Sequence, residues 1–409
     1  MGTNTCCMIF FLLMHGIASI SQTNNANSKP VINTAKKNNS FSEGKDYTVF
    51  ERVRVTDNTG FTTPVEAYSL LLPKTWKYEG NINWVYNMQS PAGNGTYNYL
   101  KAVSADNNYS LEILPEIVWS WVSDPQLLQF MQANTRSPYA FVAAPMGAEQ
   151  YLRGVFINNE LSGGTITGIK QNTVVMQEMQ QNFEKVRNEL MQYGASDVQF
   201  YPSAINAGLN FKDGKEAIVL CGVTVIETTL MNQYNGSVQK NYTSSAVRRI
   251  IFRFPAEEKE SAEKMLGVIL SSLRTNTAWK NNVNAFWKQL RQNSDVANRQ
   301  KIKMMDEQTK AIGNAAISKG AQNLKNMDVN LRSWEEGQAS QDKMNVNFIK
   351  AIREVETYRD VTGKIELGSG YNHAWSRGDG TSFILSNNPA FDPSSALQDQ
   401  RWTEMKLVK

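Results

Sequence analysis

The clearest pattern of apolar and polar positions lies in residues 245–290, where a strand pattern is followed by a helix pattern. The strand covers 246–254, and its continuous apolar core at 250–252 is typical of a strand that is covered on both faces. Pro255 ends this strand and suits the first turn of a helix, because a proline there loses no helical hydrogen bond. Apolar residues then recur at helical spacing and form one face: Met265, Leu266, Ile269, Leu270 and Leu273. This stretch predicts an amphipathic helix that packs on a sheet.

Strand patterns separated by turn residues fill most of the first half of the chain. They cover 47–55, 65–72, 76–86, 97–103, 109–114 and 117–122. Trp119 and Trp121 lie two positions apart in the last of these, so we expect both rings on one strand face. The apolar spacing over 174–193 predicts a helix that Gly194 ends.

The second half combines a hairpin, a polar segment and a further group of strands. The Asp-Gly pair at 213–214 predicts a hairpin that joins strands at 209–211 and 218–226. From 291 to 345 the chain is rich in Asn, Gln, Lys and Ala, and two out-of-phase apolar sets predict a polar helical connector. Short strand patterns and Gly-rich turns predict a small β-rich C-terminal unit at 346–409. We therefore predict an α+β fold in which an antiparallel sheet with packed helices precedes the connector and the C-terminal unit.

The first 21 residues have the pattern of a signal peptide. An apolar run at 8–14 leads to small residues, with Ser19 and Ser21 at positions −3 and −1 of a cleavage site. No Lys or Arg precedes the run, so only the terminal amine supplies positive charge there. The run is too short to span a bilayer, and we expect no transmembrane anchor in the mature chain. Residues 22–45 predict a disordered spacer, and the expected location is periplasmic or extracellular.

Charge and cysteine content exclude several kinds of site. Lys+Arg 42 against Asp+Glu 38 gives a net charge of +4 over 409 residues, which is too weak for a dedicated nucleic-acid surface. Removal of the signal peptide takes away Cys6 and Cys7 and leaves Cys221 alone, so neither an internal disulfide nor a cysteine-based metal site can form. The apolar strand pattern around Cys221 predicts a buried, inert thiol.

Histidine content limits catalysis in the same way. The chain has His15, inside the predicted signal peptide, and His373, which we interpret as a structural or surface residue. A zinc site with several histidines is excluded, and a Ser-His-Asp arrangement would have to use His373. We therefore predict no catalytic residues, no metal site and no cofactor.

Carboxylates offer a route to catalysis that needs no histidine. Glu112 and Glu116 flank a Leu-Pro pair and Glu160 lies near a Gly-Gly pair, but no spacing marks any two as partners. Solvated strand and loop positions explain them more simply. The Arg-Gly-Asp sequence at 377–379 spells an adhesion tripeptide, which we interpret as a hairpin turn.

Two local patterns resemble known families. The Leu-Pro-Lys-x-Trp motif at 72–76, with the late strand and helix over 249–273, resembles the Mog1/PsbP-like group, which includes PsbP and DcrB-type envelope proteins. This resemblance implies a compact α+β sandwich over 46–290 that serves binding or assembly and has no shared catalytic site. The ending, with Gly-Tyr-Asn-His-Ala-Trp at 370–375 and Phe-Asp-Pro at 391–393, resembles the tail of uncharacterised secreted proteins of Bacteroidota-like bacteria. That likeness implies export.

Trp84, Trp119 and Trp121 are the candidate ligand-binding residues, because exposed indole rings can hold sugars or apolar ligands. Packing in a core is the alternative explanation for the same rings. The sequence favours a non-catalytic exported binding protein whose partner is an unidentified small ligand or an envelope protein, and not a nucleic acid. Two alternatives stay open, namely a carboxylate-dependent hydrolase and an envelope assembly factor that acts through the helical connector.

Overall fold

Antiparallel sheets with helices packed on them form the part of the chain that the computed structural model describes. The described residues are 41–87, 93–181, 183–192, 194–231, 237–292, 355–368, 370–397 and 402–408. The predicted signal peptide, most of the spacer and all but the first two residues of the connector lie outside them. Within them, the predicted α+β class and the β-rich C-terminal unit are confirmed.

The strands follow the alternating patterns of the sequence and are numbered in chain order. They are β1 (Tyr47–Asp57), β2 (Val65–Pro73), β3 (Lys77–Val85), β4 (Gly95–Val103), β5 (Ser110–Leu114), β6 (Ile117–Val122), β7 (Ala140–Val142), β8 (Thr165–Gln171), β9 (Asp197–Asn210), β10 (Lys215–Met231), β11 (Val238–Pro255), β12 (Arg274–Thr275), β13 (Val355–Asp360), β14 (Gly363–Gly368), β15 (His373–Ser376), β16 (Ser382–Ser386), β17 (Thr403–Glu404) and β18 (Lys406–Leu407). The largest sheet has the order β3-β4-β5-β11-β10-β9-β8, and β6 pairs with β11 beyond the end of β5 and with β7. A second sheet has the order β12-β2-β1-β16-β15-β17, and β14-β13-β18 form a third.

The helices are short, apart from two that follow β11. They are α1 (Pro125–Asn134), α2 (Ala148–Tyr151), α3 (Ile157–Glu160), α4 (Thr173–Gln180), α5 (Phe183–Gln192), α6 (Lys259–Ser271), α7 (Thr277–Gln292) and α8 (Pro393–Ala396). A π-helical turn at Leu152–Phe156 joins α2 to α3, and a 3-10 turn at Ala256–Glu258 precedes α6.

Different helices cover the two faces of the largest sheet. On the face that we call the inner face, α4, α6 and α7 bury a core that includes Phe252, Leu266 and Trp287. On the opposite, outer face, α2 and α3 bury a second core that includes Trp119 and Cys221. Both faces of β10 and β11 are therefore covered along much of their length, as the apolar run at 250–252 predicted.

The structure divides the helix predicted over 174–193 into α4 and α5. Val175 of α4 belongs to the core with α6 and α7, whereas Val186 and Leu190 of α5 pack near Ile226 in a separate cluster. The apolar residues of the two helices therefore pack in different clusters, against different parts of the sheet.

The predicted hairpin at 213–214 connects β9 and β10, and Gly214 there has a φ of +81°. The strands that it joins are much longer than the predicted 209–211 and 218–226. Pro202 and Gly208 interrupt the apolar alternation of β9, but the register with β10 continues through both positions. Cross-strand pairing thus extends β9 where its local sequence does not favour a strand.

The C-terminal unit completes the sheet that β1 begins. Strand β16 lies antiparallel to β1, with Phe383 opposite Phe50, and both rings are fully buried in the core with α6 and α7. The guanidinium of Arg52 on β1 donates to the carbonyl of Gly380 at 3.3 Å and to that of Ser272 at 3.1 Å. The last strands therefore share their core with elements that lie some 300 residues earlier.

Candidate ligand-binding face

The outer face is not covered by α2 and α3 where β6, β11, β10 and β9 extend past these helices. The strand register places four residues side by side in one row there: Trp121, Tyr242, Glu227 and Gln199. Directly opposed residues of antiparallel strands point to the same side of a sheet. Neighbouring strands are about 4.8 Å apart, so this row of four is roughly 14 Å long.

Aromatic rings occupy much of this surface. Tyr201 lies on the same side of β9, one row along, and is 52% exposed. Trp121 and Tyr242 are half-buried and meet edge to face, with 5.6 Å between their ring centroids. Within the described part of the chain, the indole N–H of Trp121 makes no hydrogen bond. We call Trp121, Tyr201, Glu227, Lys240 and Tyr242 the aromatic face.

A carboxylate lies at the centre of the aromatic face. Glu227 accepts a hydrogen bond from the ammonium of Lys240 at 2.6 Å and one from the hydroxyl of Tyr201 at 3.3 Å. The bond from Lys240 is the main cause that lowers the pKa of Glu227, and the same bond raises the pKa of Lys240. Partial burial, helped by the charge of Glu227, raises the pKa of both tyrosines. At pH 7 the aromatic face therefore presents a charge-balanced carboxylate and ammonium beside neutral phenol rings.

The three tryptophans proposed from the sequence do not come together. Trp84 is part of the core with α6 and α7, where its indole N–H donates to Asp57 at 2.8 Å and its ring stacks on Trp287. Trp119 is fully buried on the outer face between Phe141 and Tyr151. Trp121, two residues later on the same side of β6, is the one that reaches the aromatic face. Trp84 and Trp119 therefore occupy packing positions.

The sequence patterns missed the other four residues of the aromatic face for a common reason. Tyr201 precedes the predicted strand 209–211, Glu227 follows 218–226 by one residue, and Lys240 and Tyr242 precede 246–254. All of them lie in the strand extensions that only pairing stabilises. The available signal was the recurrence of large side chains at every second position, as in Gln199 and Tyr201 or Lys240 and Tyr242, but Phe200 and Asn241 between them break the alternation of apolar and polar residues.

The remaining sequence candidates are separated from one another. Cys221 is buried, as predicted, and its burial raises the thiol pKa to about 12. Nδ1 of His373 lies 3.2 Å from a carboxylate oxygen of Glu404, and its ring stacks on Trp375. The Arg-Gly-Asp sequence at 377–379 forms the predicted turn between β15 and β16.

Glu116 is the carboxylate with the most altered acidity among the sequence candidates. It lies between β5 and β6, and burial raises its pKa to about 7, while the hydroxyl of Ser245 opposes this shift. No carboxylate contributes to the shift within the described part of the chain. Glu112 and Glu160 lie on other elements, and Glu160 pairs with Arg249 at 3.1 Å.

Comparison with known proteins gave no relative: no family model, no curated protein and no solved structure matches this chain. Within the described ranges, no three His, Cys, Asp or Glu side chains are grouped so as to hold a metal ion. The helices in those ranges are all too short or too polar to cross a membrane.

Proposed function

We propose that the chain is an exported, non-catalytic binding protein and that its aromatic face binds a saccharide. The observation that carries this proposal is the row in which the half-buried rings of Trp121 and Tyr242 adjoin the carboxylate of Glu227, with the exposed side chains of Tyr201 and Lys240 beside it. The signal-peptide pattern and the likeness of the C-terminal stretch to secreted proteins support export.

A sugar ring matches the chemistry of this surface better than a purely apolar ligand does. Its C–H faces pack on the rings of Trp121, Tyr201 or Tyr242, as apolar groups pack on aromatic rings generally. Its hydroxyl groups both donate and accept, so they can use the carboxylate of Glu227, the ammonium of Lys240 and the indole N–H of Trp121, which has no acceptor among the described residues. An apolar ligand would instead cover the indole N–H of Trp121 without giving it an acceptor and would take the ion pair of Glu227 and Lys240 out of water, and both effects cost affinity.

The alternatives from the sequence have less support among the described residues. A carboxylate-dependent hydrolase needs two acids close together, and the raised pKa of Glu116 comes from burial and not from a second carboxylate. The assembly-factor hypothesis depends on the helical connector, most of which lies outside the described residues.

Titration with soluble oligosaccharides tests the proposal. Hexasaccharides of glucose and of N-acetylglucosamine form the panel, and calorimetry and tryptophan fluorescence measure binding. We expect at least one of these sugars to bind the mature chain. Trp121→Ala and Tyr201→Ala each remove a stacking surface and are expected to weaken that affinity at least tenfold, which corresponds to about 1.4 kcal/mol. Glu227→Gln keeps the size of the side chain and removes its charge, so a loss of binding there identifies the carboxylate as an acceptor.

Tyr78→Ala is the matched control, because Tyr78 is a 45% exposed tyrosine on β3, away from the aromatic face. Its affinity should equal that of the wild type. The proposal fails if no sugar of the panel binds, if Trp121→Ala binds as tightly as the wild type, or if Tyr78→Ala weakens binding as much as Trp121→Ala does. N-terminal sequencing of the secreted chain tests export separately, with Gln22 as the expected first residue.

A further inference from the structure

A second group of polar side chains lies on the inner face, on the opposite side of the sheet from the core of Trp119. It consists of Glu178 on α4, Arg248 on β11 and Lys280 on α7, which we call the inner charged cluster. Nη1 of Arg248 lies 3.5 Å from a carboxylate oxygen of Glu178, and the side chain of Glu178 is 4% exposed. The cluster therefore combines side chains from two helices and from the sheet beneath them.

The backbone of Arg248 is strained, because this residue lies in a β-bulge. The register between β10 and β11 shifts between Leu220 and Gly222, which makes a bulge opposite Cys221. Arg248 lies in the bulge with a φ of +54°, a left-handed conformation that is unfavourable for a non-glycine residue. Strain of this kind persists where the surroundings hold the residue in position.

Lys280 is the unusual member of the cluster. It is only 8% exposed, yet its ammonium makes no hydrogen bond and no ion pair within the part of the chain that the structure describes. Burial, and then the positive charge of Arg248, lower its pKa to about 8. At pH 7 its protonated form is favoured, and the cluster then holds two cations against the single carboxylate of Glu178, counted over the described residues.

A buried charge without a partner destabilises a fold, and a bound anion would supply the partner that Lys280 lacks among the described residues. We propose that the inner charged cluster binds the oxyanion of a small molecule, a carboxylate or a phosphate group, between Lys280 and Arg248. An oxyanion supplies the acceptors that the ammonium lacks and balances the excess positive charge. Arginine and lysine together are the usual protein groups for such ligands, because the guanidinium presents several N–H donors and the ammonium a compact charge.

Glu178 is the acidic member of the inner charged cluster. It orients Arg248 through their ion pair and neutralises one of the two charges, which leaves a net charge of +1 for the ligand. A monoanionic carboxylate therefore suffices for balance, and a phosphate group adds further acceptors. The site is distinct from the aromatic face, which lies on the outer face of the same sheet, so the two proposals stand or fall separately.

Thermal unfolding of the full chain in phosphate, acetate or chloride at equal ionic strength tests this site. A ligand that binds the folded state alone raises the unfolding temperature with its concentration. We expect saturating phosphate or acetate to raise the unfolding temperature by about 3 °C or more over chloride, and the better of the two identifies the kind of oxyanion. Lys280→Met, which keeps the length of the side chain, is expected to abolish this rise.

Two further readouts separate a ligand role from a structural one. Without added anion, Lys280→Met should unfold at a higher temperature than the wild type, because it removes an unpaired buried charge; a lower temperature would assign Lys280 to the fold and overturn the proposal. Lys288→Met, on the exposed side of the same helix, is the matched control and should keep the full response to anion. The proposal is also overturned if neither oxyanion acts more strongly than chloride on the wild type, or if Lys280→Met responds as the wild type does.

Discussion

At the scale of single residues, burial and neighbouring groups together set the pKa of each carboxylate. Glu227 has a carboxylate held ionised by Lys240 on the aromatic face, whereas Glu116 is held back from ionisation by its surroundings. Both are glutamates on or beside strands of the same sheet. The difference comes from burial and from the neighbouring groups. The ammonium of Lys240 lies 2.6 Å from Glu227 and favours its charged form, whereas the burial of Glu116 outweighs the hydroxyl of Ser245, which favours the charged form there.

The acidity of Glu116 predicts a pH-dependent stability. Its folded-state pKa of about 7 lies above the ordinary value of 4.5, so the folded protein keeps a proton that the unfolded chain releases as pH rises between these values. Its contribution to stability is therefore fully favourable below pH 4.5 and is lost by up to about 3 kcal/mol above pH 7. Glu116→Gln should remove this loss, so its gain over the wild type in urea unfolding should grow from pH 5 to pH 8.5.

Ser245→Ala provides the companion variant for that measurement. It removes the hydroxyl that lowers the pKa of Glu116, so in this variant the titration of Glu116 should move to higher pH than in the wild type. A constant difference between Glu116→Gln and the wild type at all pH values would contradict the prediction.

At the scale of elements, long pairing dominates local preference. Strands β9, β10 and β11 continue through Pro202, Gly208 and the bulge at Arg248, because each is held by neighbours along its length. The turn between β9 and β10 is the local feature that fixes their register. It needs a left-handed residue at Gly214, although a methyl group added to the α-carbon there would have open space around it.

Gly214→Ala should consequently destabilise the protein by about 1–2 kcal/mol through backbone strain alone. Gly154→Ala is its matched control, because Gly154 is also exposed and has open space around it but lies in a helical turn with an ordinary φ. That variant should be neutral or gain up to about 1 kcal/mol. Urea unfolding of both variants measures the difference, and equal effects would show that the turn does not depend on glycine.

At the scale of the whole molecule, the first strand shares one core with a strand of the C-terminal unit. β16 pairs with β1, and Phe383 is fully buried with residues of α6 and α7. The predicted C-terminal unit is thus β-rich, as expected, and is packed on the chain that precedes the connector. Unfolding of one part should therefore involve the other.

Phe383→Ala tests this cooperation. Loss of a buried phenylalanine costs about 3–5 kcal/mol, and we expect the loss to shift the midpoints of far-UV circular dichroism and of tryptophan fluorescence together. Val361→Ala, at an 83% exposed turn position of the same unit, should change stability by less than about 0.5 kcal/mol. A separate early transition in Phe383→Ala, with the second midpoint unchanged, would show that the C-terminal unit unfolds independently.

Local sequence patterns were enough to predict the α+β class, the hairpin at 213–214 and the buried thiol of Cys221. These follow from local patterns, since alternation, turn residues and apolar runs act over a few positions. The sequence also limited the chemistry, because one histidine and one cysteine outside the predicted signal peptide leave few nucleophiles or metal ligands.

Tertiary packing, by contrast, sets which aromatic rings remain accessible. Trp119 and Trp121 share a strand side, as predicted, but Phe141 and Tyr151 cover the first and leave the second open. Tyr201 and Glu227 reach Trp121 and Tyr242 through pairing between distant strands, and Lys280 reaches Arg248 through helix packing. Contacts between residues far apart in sequence leave no local pattern, which is why both proposed sites are visible only in the folded chain.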